Sequence, residues 1–219
     1  MFALVNKSDN SITKTYSGRR GITIGENQYP QTIFTLWTEA ERNAIDIYTI
    51  EMDNSKFKNE QWYNNTDITY SFDGSKAKGS YGDATAKAHA DVNHVWTQEE
   101  IDDGEAPDGT SEGDAKKDDD GNQLITRGLK YILIKKIKDQ AEAELNKTDW
   151  YVIRKTEEDI AIPSTITTHR KAVRTKQAEM ETAITNASDT PALETLYTYT
   201  EQEDGSVTRP LGELPTLED

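Results

Sequence analysis

Leu129-Lys-Tyr-Ile-Leu-Ile-Lys-Lys-Ile-Lys-Asp-Gln-Ala-Glu-Ala-Glu-Leu145 is the stretch whose reading decides the fold. Leu129, Ile132, Leu133, Ile137, Ala141 and Leu145 recur at three- and four-residue steps, which places them on one face of a helix. Lys130, Lys135, Lys136 and Lys138 lie off that face. A helix with one apolar stripe needs a partner. The sequence supplies one after Ile162-Pro163-Ser164, with Ser164 as cap and Ile166, Val173, Met180 and Ile184 as its stripe. Arg170 and Gln177 fall between those positions. Thr190-Pro191 opens a short third helix carrying Leu193, Leu196 and Tyr197, because proline is tolerated in a first turn. Thr198–Gln202 and Ser206–Arg209 flank Asp204-Gly205, which signals a hairpin. Pro210, Pro215 and the acidic end read as a tail. These segments predict a helical module over 127–199 and a hairpin and tail over 200–219.

Upstream lies a different composition. Residues 99–120 carry two basic and eleven acidic groups, a net of −9. Ile101, Ala106, Pro107 and Ala115 are their only apolar side chains, too few to offset the entropy of ordering them. The expectation for 99–126 is an acidic linker or solvated arm, with one helical turn capped by Thr97 and Glu100 before it and a hairpin tip at Asp120-Gly121-Asn122. Residues 1–98 read as a small β-rich domain. Ile12–Tyr16 and Gly21–Ile24 form short strands. Thr38 and Glu41 form a capping box for a helix of about two turns. Ile45–Ile50 alternates apolar residues as a half-buried strand does. Ile68–Phe72 is a further strand, closed by a turn at Asp73-Gly74. Residues 76–92, rich in Ala, Gly and Ser, read as a loop or a frayed helix. The fold class is therefore α+β: a small N-terminal β-rich domain, an acidic linker and a C-terminal helical module with a terminal hairpin.

The chain has 219 residues and a net charge of −15. That balance argues against sequence-independent nucleic-acid binding, which rests on neutralising phosphates. The uncharged apolar runs, such as Tyr131–Ile134 and Met1–Val5, are far short of the roughly 20 residues of a membrane span. Met1–Val5 is too short for a signal-peptide core. The absence of cysteine removes disulfides and thiolate chemistry. The charge comes in blocks: the 127–176 segment is +5, whereas 177–219 is −9. Block patterns of this kind indicate separate modules.

Three features bear on chemistry. Asp118-Asp-Asp-Gly-Asn122 resembles a calcium loop in composition, but its glycine stands fourth rather than sixth and no glutamate closes it. The carboxylate groups Asp102/Asp103 and Glu157/Glu158/Asp159 lie in polar segments where nothing would raise a pKa, as a glycosidase acid requires. His89, His94 and His169 build no nucleophilic triad, and no phosphate loop is present. The expectation is a protein that is no enzyme, with no catalytic residue, cofactor or metal.

The corner between the two long helices reads Thr148-Asp149-Trp150-Tyr151-Val152-Ile153-Arg154. Thr148 and Asp149 can cap the turn after the lysine-rich helix. Trp150 offers a large ring with a polar N–H, suited to locking two helices. Arg170 and Arg174 are one turn apart and share a face, within reach of Asp149 or of Glu157–Asp159. Trp150 and both arginines read either as fold-forming residues or as part of a docking surface.

Leu145 to Arg154, Ile162-Pro163, and His169-Arg170-Lys171-Ala172-Val173-Arg174 together resemble the C-terminal module of phage tail assembly chaperones, the tail-fibre assembly-like family. The resemblance covers about residues 129–187. A second, weaker likeness runs over 22–50, through Tyr29-Pro30 and Trp37-Thr38-Glu-Ala-Glu-Arg42-Asn-Ala-Ile45. At the aromatic position of the family's second-helix core this chain has His169. The resemblance implies phage tail morphogenesis: binding of tail or tail-fibre protein without covalent chemistry. Thr148, Asp149, Trp150, Arg154, Arg170 and Arg174 would define the module or its partner surface. It implies residence in the host cytoplasm during assembly. The alternative is a structural component of the virion tail, such as a fibre, baseplate or adaptor protein. Self-association stays open; nucleic acid and membrane are not expected partners.

Overall fold

The computed structural model describes residues 1–217, in two compact units that divide between residues 85 and 86. The first unit is a curled sheet. Strands β1 (Phe2–Asn6) and β2 (Ser11–Tyr16) form an antiparallel hairpin with an irregularity at Leu4/Val5. A small hairpin of β3 (Ile22–Ile24) and β4 (Asn27–Tyr29) follows, then a 3-10 turn over Gln31–Phe34. Helix α1 (Glu39–Asn43) starts at the capping box read from the sequence: Thr38 Oγ1 accepts from Glu41 N, and Glu41 Oε2 accepts from Thr38 N. Strand β5 (Ile47–Asp53), the two-residue β6 (Tyr63–Asn64), β7 (Thr69–Phe72) and β8 (Ala77–Ser80) complete the unit. The sheet order is β2-β1-β5-β8-β7, with β5 and β8 parallel and the other neighbours antiparallel. Its edge strands β2 and β7 approach each other.

Both faces of the sheet are covered. Ala3, Val5, Tyr48, Ile50, Phe72 and Ala77 pack on one side. Phe2 and Leu4, pointing the other way by the period of two, pack with Ile22, Ile33, Phe34 and Ile47. This explains why Phe2-Ala-Leu-Val5 is apolar without alternation and carries no period-two strand signal. Residues 76–92 also depart from expectation. They contain β8, the strand between β5 and β7, rather than a loop or a frayed helix. Its small residues serve packing: a Cβ on Gly79 would lie 2.7 Å from Met52 Sδ.

The domain boundary falls at β9 (Thr85–Ala86), not at 98. Residues 88–91 belong with the helices because they close the N-terminus of α3 (Leu129–Asn146). Leu129 N donates to Ala88 O and Lys130 N to His89 O, while Asp91 accepts from Gly128 N. These bonds satisfy amides that a helix leaves free. Residues 99–126 are not an open arm. Strand β10 (Val92–Asn93) pairs with β11 (Ile125–Thr126), α2 (Gln98–Asp102) has its own capping box, and isolated bridges join Val95 to Ala115 and Lys117 to Gln123. Lys116 pairs with Glu100 and lies over the Trp96 ring, and it pulls the Glu100 carboxyl down to about 2. Polar contacts and turns order this segment where apolar burial could not.

A further helix, α4 (Asp149–Glu158), stands between the two long helices, where the sequence shows only a capped turn; it ends at Asp159 in a left-handed conformation. Helix α5 (Ser164–Asn186) packs along α3. Ser164 is its first residue and makes no cap; Pro163 precedes it and accepts from Thr167. Helix α6 (Thr190–Tyr197) is capped by Asp189, which accepts from Ala192 N at 2.8 Å. Strands β12 (Thr200–Glu201) and β13 (Val207–Thr208) form the expected hairpin. The segment after it docks back, with Leu211 buried and its amide on Leu196 O at 3.0 Å. The acidic end read as part of the tail, Glu218 and Asp219, lies outside the described residues. Strands in the first unit and long helices in the second make the fold α+β.

Candidate protein-docking surface

The interface of α3 and α5 is apolar along most of its length and polar at one end. Leu129, Leu133, Ile137 and Ala141 are buried on α3; Ile166, Val173, Met180 and Ile184 are buried on α5. Ile132 leaves the expected stripe and is exposed. At about 100° per residue it falls about 60° outside Leu129, whereas Glu144 falls between Leu133 and Ile137. Glu144 is accordingly buried, a carboxylate inside the seam. Lys147 donates to its Oε2, the Leu217 amide donates to Oε1 at 3.0 Å, and His169 Nε2 stands 3.2 Å from Oε1. The Lys147 hydrogen bond, more than the amide or the histidine, holds the carboxyl below its ordinary value. His169 is therefore a buried neighbour of this carboxylate.

Arg170 organises the helix corner. Its Nη1 donates to Leu145 O and to Thr148 Oγ1, each at 2.7 Å, and lies 2.8 Å from Asp149 Oδ1. Thr148 is almost fully buried and donates back to Leu145 O at 3.0 Å, without capping α4. One guanidinium thus ties the end of α3, the start of α4 and the body of α5. The sequence places Arg174 beside Arg170, but the two do not act together. Arg174 is exposed on an open groove of about 650 Å³ with Leu145, Gln177 and Glu181, and Asp159 is taken by Lys155.

Trp150 is not the lock between the helices. It is 50% exposed. Its ring lies 3.8 Å, centroid to centroid, from Tyr151, and the Arg154 guanidinium sits 4.6 Å above it. The corner aims Asp149 at Arg170 and leaves the next side chain exposed. Val152 and Ile153 are also exposed, and α4 buries no residue. Trp150 and Ile153, three residues apart, share an exposed apolar face at this corner, while Val152 lies on the opposite side of the helix. A face of this kind marks a contact site rather than a core.

The other candidates are spent on local structure. Asp118 accepts from Asn122 N at 2.8 Å and Asp120 N at 3.1 Å, so its carboxylate closes its own turn. His94 Nε2 meets Thr126 Oγ1 at 2.6 Å. Asp102, Asp103, Glu157, Glu158 and Asp159 are exposed. Among the described residues, no three His, Asp or Glu side chains converge as a metal cluster would, and no helix is long and apolar enough to cross a membrane. Comparisons with protein-family models, with curated proteins and with solved structures find no match to this chain.

Proposed function

We propose that this chain is a bacteriophage tail morphogenesis protein, like a tail assembly chaperone, that binds tail or tail-fibre protein without covalent chemistry. The observation that carries the reading is the exposed face of α4 that carries Trp150 and Ile153, mounted on a corner fixed by Arg170. The resemblance of residues 129–187 to the chaperone module supports the same assignment. The aromatic–arginine stack of Trp150, Tyr151 and Arg154 supplies the residue types that dominate protein interfaces.

A second reading, a resident structural component of the virion tail, is favoured by one further observation. Val92, Val95, Leu124 and Ile125 are all exposed on the small pairings of the acidic segment. Such apolar edges suit permanent neighbours.

Tagged protein co-expressed with a panel of phage tail and tail-fibre proteins tests the assignment. Wild type should capture at least one of them. Trp150→Ala should lose that capture with unchanged melting. Failure to capture any member would remove the reading. A protein gel of purified particles separates the two roles, since a chaperone is absent from finished virions.

A further inference from the structure

The loop Ser17-Gly18-Arg19-Arg20-Gly21 of the first unit lies in a cationic stretch of this acidic chain. Residues 10–25 contain three cations and no carboxylate. Lys14, Arg19 and Arg20 line an open cleft of about 630 Å³ together with Thr15, Ser17 and Thr23, and no acidic residue borders it. Other cations of this unit are matched. Lys7, Lys56, Lys76 and Lys78 pair with Asp46, Asp83, Glu51 and Asp73. Arg42 donates to Trp37 O, and Lys58 and Lys14 lie over the rings of Tyr63 and Tyr16. Among the described residues, Arg19 and Arg20 make no ion pair, hydrogen bond or ring contact.

The loop is nevertheless held in place. Gly18 has φ +75, and a Cβ there would lie 2.9 Å from the Phe2 ring. A Cβ on Gly21 would lie 2.7 Å from Tyr29 O. Both ends of the loop are thus pressed against the body of the unit, so the arginines project from a fixed backbone. Two guanidinium forks, an ammonium and hydroxyl donors around one cleft match a tetrahedral dianion, because the planar fork pairs bidentately with phosphate oxygens. The volume leaves room beyond one phosphate for the body of a small molecule.

We propose that Lys14, Ser17, Arg19 and Arg20 form a binding site for the phosphate group of a small phosphate monoester. The site lies in a different unit from the docking face of α4 and stands or falls independently of the function proposed above.

Titration of the full chain with inorganic phosphate and with ribose 5-phosphate, at fixed ionic strength and followed by amide NMR shifts, tests this. Saturable shifts centred on Gly18–Gly21 are expected, with chloride giving none. The double variant Arg19→Gln/Arg20→Gln should bind at least tenfold more weakly and melt as wild type, since neither side chain has an internal partner. Lys136→Gln, an exposed cation on α3, should bind as wild type. A linear, unsaturated response, or equal affinity in the double variant, would overturn the site. Tighter binding of a single-stranded oligonucleotide than of ribose 5-phosphate would overturn its assignment to a small molecule.

Discussion

The sheet of the first unit and the α3–α5 pair of the second hold together in different ways. In the sheet, Ala3 and Val5 on one face and Phe2 and Leu4 on the other all meet apolar partners. Cohesion there follows buried area and has little direction. The helix pair starts the same way at Leu129 and Leu133, then gives over its last turn to Glu144, Thr148, His169 and Arg170. Buried polar groups hold only where each finds a partner, so this end is sensitive to geometry and protonation. The sheet should respond to lost volume, and the corner to lost hydrogen bonds.

The largest effect is expected in the sheet. Ile47 is fully buried, and Ile47→Ala should cost about 2–5 kcal/mol. Hydrogen exchange should localise the loss to residues 1–85. If the amides of α3 and α5 lose protection equally, the contrast between the units fails. Next comes Arg170→Ala, expected to cost about 1.5–3 kcal/mol, the range for a hydrogen bond made by a charged group. Denaturant melts of Arg170→Lys should recover only part of it, because the shorter lysine ends one bond before the Nη1 position that bonds both Leu145 O and Thr148 Oγ1. Full recovery would mean that charge alone holds the corner.

A smaller effect is expected from pH. Glu144 is held below its ordinary carboxyl value of 4.5, chiefly by Lys147, with the Leu217 amide and His169 also facing it. Its contribution is therefore complete above about pH 4.5 and is lost as pH falls through the lower folded-state value. Melting of Glu144→Gln should depend less on pH below 4.5 than that of wild type; parallel profiles would remove Glu144 as the source. Smallest of all is Trp150→Ala, expected to change stability by no more than about 0.5 kcal/mol, as surface substitutions do. A loss of several kcal/mol would place the indole in the core after all.

What was legible in the sequence was whatever local chemistry dictates. The stripe of Ile166, Val173, Met180 and Ile184, the capping box at Thr38 and the hairpin around Asp204-Gly205 all have short-range causes. What escaped had long-range ones. Phe2–Val5 lacks alternation because both its faces are covered. Ala77–Ser80 resembles a loop because Met52 leaves no room above Gly79. Glu144 lies on the apolar face, yet nothing in its own helix announces Leu217, which is 73 residues away. Of the six residues marked at the corner, Thr148, Asp149 and Arg170 converge. Trp150 and Arg154 stack outside and Arg174 stands apart, because a helix between the two long ones redirects that stretch.

The backbone of Ala90 lies so close to Gly128 that a Cβ there would stand 2.3 Å from it. Anyone dividing this chain for expression should respect that contact. A fragment begun at residue 127 would discard the carbonyls that receive the Leu129 and Lys130 amides, and its first turn should fray. One begun at residue 86 keeps them.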